Sequence, residues 1–211
     1  MPGDTGPGTS VLEKGDAVDG FFGLVPSEEM IGGNELASLL SFSSGANIIA
    51  NNDAGWLKFV LDGKILFTPL CGFRSGILWN HLNTANIVYG SRQVQVNGYI
   101  FSVRLPRGVV ADPSGLPDSY TNSAFPEESD DETEWGRTIR RCQDGRYASY
   151  STADLGVVST TYGNWCQESA RVIPARFHIV RGGGQGAQGL YVRDDTTTRQ
   201  WRPFLELIGK V

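Results

Sequence analysis

Apolar and polar positions along the chain alternate in a few short blocks, and the clearest blocks are paired. Trp56-Leu57-Lys58-Phe59-Val60-Leu61 and Lys64-Ile65-Leu66-Phe67-Thr68 flank Asp62-Gly63. A two-residue Asp-Gly link between apolar runs predicts a β-hairpin, because both turn positions need positive φ. Gln93-Val94-Gln95-Val96 and Tyr99 to Leu105 repeat the arrangement about Asn97-Gly98. Three other blocks carry helical spacing. Leu36, Leu39 and Leu40 follow Asn34 and stop at Ser43-Ser44-Gly45, Ile77 to Asn83 reads as a short helix, and Trp135 shares a face with Ile139. Short strands are expected at 177–180, 190–193 and 204–208.

The stretches between these blocks set the organisation. The first 20 residues are rich in Gly, Pro, Asp and Thr and hold too little apolar surface to fold alone, which predicts an extended arm, either a docking arm or a flexible tail. Gly3-Asp4-Thr5-Gly6-Pro7-Gly8 resembles a Gly-x-y stretch too short for a triple helix. Phe21, Phe22, Leu24 and Val25 form an apolar cluster, and Ser27 is placed to cap a short turn carrying Glu28 and Glu29. Residues 106–131 carry four prolines and read as one long loop leading into the acidic run Glu127 to Glu132. Arg137, Arg140 and Arg141 then crowd the later turns of the Trp135 helix, where its dipole favours them. The pattern predicts an α+β fold of short hairpins with a few short helices, divided into an arm (1–20), a helical entry segment (21–55) and a main domain (56–211).

Composition narrows the function classes. The 211 residues suffice for one sizeable core. The 27 glycines and the low charged fraction of 19% fit short strands joined by tight turns. A formal net charge of -5 argues against nucleic acid as the main partner. No apolar run reaches bilayer-spanning length and Met1-Pro2-Gly3-Asp4 opens no signal sequence, so a soluble product made in the cytoplasm without membrane insertion is expected. Cys71, Cys142 and Cys166 are too few for a disulfide scaffold. Buried thiols, a Cys142 to Cys166 bridge, and Cys71 joining neighbouring copies all stay open.

Candidate chemistry is sparse. Arg181-Gly182-Gly183-Gly184-Gln185-Gly186 lacks the Lys-Ser/Thr of a phosphate loop. His81 and His178 lie outside any nucleophile or metal-ligand spacing. No catalytic residue, metal site or cofactor is therefore assigned. Asp194 and Asp195, followed by Thr196, Thr197 and Thr198, offer oxygens either to calcium or to their own turn. Each tryptophan is a core anchor or, if exposed on the glycine-rich face, a platform for a sugar ring. The candidate ligand-facing set is Trp165, Arg181, Arg193, Asp194, Asp195 and Trp201.

Several segments together resemble a family of bacteriophage virion proteins found near tail fibres and other appendages. They are Gly15-Asp16-Ala17 to Gly23, Glu35 to Ser38, Trp56 to Lys64, Ile77 to Asn83, Ile87-Val88-Tyr89-Gly90 and Asn97 to Leu105. The likeness continues through Glu134-Trp135-Gly136-Arg137, Ala153 to Gly156, Trp165-Cys166-Gln167-Glu168, Arg181-Gly182-Gly183 and Trp201 to Leu207. The closing pattern, Arg181-Gly182-Gly183, an expected strand with Arg193-Asp194-Asp195, then Trp201-Arg202-Pro203 and an apolar strand, also resembles the formylglycine-generating-enzyme branch of the C-type-lectin-like fold. That enzyme's catalytic cysteine pair near the carboxyl end has no counterpart, since no cysteine follows Cys166. The resemblance implies a C-type-lectin-like domain without enzymatic activity, in a virion assembled in the host cytoplasm. It further implies homo-oligomers, contacts of residues 1–25 with other virion proteins at the head, neck or tail, and, as an alternative role, attachment to a host surface glycan or protein.

Overall fold

A computed structural model describes residues 3–110, 130–158, 163–172, 175–183, 186–188, 190–194 and 196–211. It is a mixed α+β structure dominated by two sheets. The larger sheet runs β1(Lys14–Gly15), β2(Asp19–Val25), β4(Trp56–Leu61), β5(Lys64–Pro69), β13(Phe204–Lys210), β8(Tyr99–Arg104) and β7(Tyr89–Val96), with antiparallel neighbours throughout. The smaller runs β11(Leu190–Asp194), β10(Ala175–Arg181), β9(Asn164–Val172), β12(Arg199–Trp201), β6(Arg74–Ile77) and β3(Ala46–Asn47). Within it β12 and β9 pair in parallel through Gln200 and Asn164. Helices α1(Gly33–Leu39) and α2(Trp79–Thr84) are short, and a π-helical stretch, Gly136–Arg140, continues into α3(Arg141–Gln143).

Both expected hairpins form. At the first turn Asp62 and Gly63 take φ of 52° and 76°, and at the second Asn97 and Gly98 take 49° and 80°. These values follow the right-handed twist of the flanking strands. The strand at 204–210 enters between the two hairpins, pairing with β5 on one side and β8 on the other. The helices expected at Leu36, Leu82 and Trp135 are present, with Trp135 and Ile139 both buried. The turn Ser27–Glu29 also forms, but Pro26 occupies its capping position and no side chain caps it.

Alternation along β4 explains why the larger sheet is covered on both faces. Trp56 and Val60 enter one core with Phe22, Phe67 and Val103, against α1, α2, Trp165 and Trp201. Leu57, Phe59 and Leu61 enter a second core with Trp135, Ile139, Cys142, Leu155 and Val157. The expected boundary at residue 20 falls inside β2, and β2 pairs with β4 across the boundary at 55. Residues 5–9 of the expected arm lie on the chain's own sheet, where the buried Lys58 ammonium holds them.

Candidate functional site

The residues expected to face a ligand are not gathered in one exposed place. Trp165 is buried, donating its Nε1–H to the Ile77 carbonyl at 2.7 Å with its ring edge-on to His178. Trp201 is buried edge-on against Phe42. Arg181 is buried and donates from Nε to the Gly108 carbonyl at 2.6 Å. These three therefore serve packing rather than contact with a ligand. Their strands lie inside the smaller sheet, where an aromatic or guanidinium group meets a neighbouring segment before it meets water. Arg193 is half-buried on β11, opposite His178. Asp194 ends that strand, while its side chain and all of Asp195 lie outside the described residues. Among the described residues no group of three His, Cys, Asp or Glu is arranged to hold a metal. The three cysteines are free, buried thiols. Cys142 sits in the second core and Cys166 packs beneath Gly108 and beside Ile179.

A different set of side chains converges. A cleft of about 380 Å³ opens between the first hairpin, β8, β13, residues 107–110 and the start of the Trp135 helix. Leu61, Leu66, Val109 and Val110 give it apolar surface, and Tyr89 and Gln167 also line it. Its charged walls are cross-linked. Arg104 presents its fork to Glu134, with Nη1 at 2.7 Å from Oε2 and Nη2 at 2.5 Å from Oε1. Its Nε reaches Glu206 at 3.3 Å, and Lys64 binds the other Glu206 oxygen at 2.8 Å. Burial acts to lower the Arg104 pKa, but Glu134 and Glu206 outweigh it and raise it. For Glu206, Lys64 and Arg104 overcome the opposite pull of burial and depress its pKa. At the far side Arg137 forks onto Asp62, and Asp19 receives Arg137, Arg141 and the Tyr147 hydroxyl.

The floor beside Val109 is fixed by two carboxylates. Glu134 Oε2 accepts the Arg107 N–H at 2.7 Å, and Glu168 Oε1 accepts those of Gly108 and Val109 at 2.9 and 3.3 Å. Glu168 is fully buried and its Oε2 has no hydrogen-bond partner among the described residues. Burial pushes its pKa up to about 7 against the pull of those amides. Trp135 N–H and Gln167 N–H bind the Arg107 and Pro106 carbonyls, so the entry to the long loop is gripped on both sides. Of the loop expected at 106–131, residues 111–129 lie outside the described residues.

Sequence reasoning named none of the cleft's charged residues as a site. A signal was present, since Arg104 and Glu206 are isolated charges within apolar strands and Glu134 precedes a core tryptophan. Separate strands and a helix bring them together, and single-sequence spacing does not encode that. No protein-family model, curated protein or solved structure matches the chain.

Proposed function

We propose that the chain is a structural protein of a bacteriophage particle, with a C-type-lectin-like domain displayed as a rigid scaffold and no catalytic role. The observation that carries this reading is where the separated segments of the resemblance meet. Arg104, Glu134 with Arg137, and Glu206 come from three different segments and are bound to one another or to Asp62, Asp19 and Lys64 around one cleft. Charges committed in this way hold elements together; a catalytic acid or base has to exchange its proton with a substrate. Buried tryptophans and cations fixed to backbone carbonyls support the same reading, because they stiffen irregular segments that a displayed surface would use.

A second reading, attachment to a host glycan or protein, is favoured by the open polar cleft with Tyr89 nearly half exposed at its edge. Tyrosine rings and planar charged groups at one rim suit a polyhydroxyl ligand. Particles assembled without this chain separate the two. The structural role predicts particles that fall apart on a density gradient, while intact particles that fail to adsorb to host cells would replace it with the attachment role.

A further inference from the structure

The segment Thr5 to Thr9 crosses the larger sheet as a strap, and beneath it lies a single cation. Lys58 stands at the middle of β4, opposite Gly23 of β2 and Phe67 of β5, and is fully buried. Its Nζ donates to Thr9 O at 2.7 Å, Pro7 O at 2.8 Å and Thr5 Oγ1 at 3.0 Å, with Gly6 O at 3.4 Å. The rings of Phe22 and Phe67 flank the ammonium at 4.9 and 5.5 Å. The strap thus supplies the polar surroundings that the sheet withholds.

The cradle is shaped for this sequence. Gly8 has φ of +75°, and a Cβ there would come within 2.5 Å of Val25 Cγ2. Asp4 folds the entry by accepting the Gly6 N–H at 3.0 Å and lies 3.5 Å from Lys210 Nζ and the Tyr99 hydroxyl. Beyond Thr9 only Ser10 and Val11 stand exposed without a tertiary hold, because Leu12 packs against the first core and the Glu13 N–H donates to the Phe21 carbonyl at 2.8 Å. These two residues, extended, reach about 7 Å.

We propose that the Lys58 cradle is a binding site for an extended Thr-Gly-Pro-Gly-Thr segment, and that copies of the chain exchange this segment, the strap of one filling the cradle of another. The contacts are the same whichever copy supplies the strap, which makes exchange a low-cost route to assembly. An unfilled cradle would leave a buried ammonium without acceptors, so each strap that leaves is replaced by another.

Two full-length variants test this. Gly8→Val excludes the chain's own strap but leaves its cradle, and Lys58→Met removes the ammonium but leaves its strap. After each is shown to be folded by circular dichroism, native mass spectrometry of the mixture should show a complex containing one of each, absent from either variant alone. A mixture containing only separate monomers overturns exchange. If Gly8→Val does not fold, a fluorescent peptide of residues 1–10 is titrated into the wild-type chain and into Lys58→Met. Saturable binding at least tenfold tighter to the wild type supports the site; equal binding, or none, overturns it.

Discussion

Lys58, Arg74, Arg181 and Arg202 share a use that their charge alone does not suggest. Each is buried, and each donates to at least one carbonyl oxygen outside the strands and helices. Arg74 binds the carbonyls of Ser43, Ser44 and Gly45, and the side chain of Asn47. Burial lowers the Lys58 pKa to about 8 and the Arg202 pKa to about 10, so both remain largely charged at neutral pH. Glu168 is a buried carboxyl compensated on one oxygen, where Oε1 accepts the Gly108 and Val109 N–H groups. Its carboxyl has an ordinary pKa of 4.5, raised by burial to about 7. Between those values the folded chain keeps a proton that the unfolded chain has released, so stability falls as pH rises through the window and levels off above it. Glu168→Gln should keep the acceptor for Gly108 and Val109 while flattening the midpoint of thermal unfolding between pH 5 and 7.5. An unchanged slope would assign it to another group. The thiols give a second residue-scale expectation. Burial raises the pKa of all three, so a thiol reagent should label the native chain slowly and modify three cysteines after unfolding under non-reducing conditions. Recovery of one thiol would instead show that two of the three cysteines are bridged, and peptide mapping would tell whether they are Cys142 and Cys166.

At the scale of elements, the structure is a set of locally encoded pieces held by long-range staples. Arg202 follows β12 directly and donates to the carbonyls of Pro69, Leu70 and Leu155, with its guanidinium 5.7 Å from the Trp135 ring centroid. It joins the end of β5 to the segment beneath the second core. Arg202→Leu should destabilise the chain by about 3 kcal/mol or more, since the carbonyls would stay buried without a donor. Chemical denaturation measures this, and a loss under about 1 kcal/mol would show that water can replace the guanidinium. The hairpins were legible because Asp62-Gly63 and Asn97-Gly98 each encode their own turn. The insertion of β13 between β5 and β8 was not, because Leu205 meets Phe67 and Val103 from more than a hundred residues away. The same limit left Trp201 and Trp165 open between core anchor and ligand platform, and the core reading holds because β9 and β12, not expected from the sequence, lie inside the smaller sheet. Lys58 was readable in part: alternation puts it on the face of Trp56 and Val60, which marks a buried cation without identifying its partner.

For the whole molecule, staples and ion pairs make one connected body of the described residues. The arm is fastened to β4, the Trp135 helix to β8 through Glu134 and Arg104, and the smaller sheet to α2 through the Trp79 Nε1–H and the Cys166 carbonyl. Such a body suits the proposed role of a part that keeps its shape while other chains assemble around it. The direct measurement is quantitative mass spectrometry of this chain in bacteriophage particles purified through successive density gradients. The virion role predicts a constant, whole-number copy count per particle that survives each gradient; steady loss of the chain until none remains would contradict it.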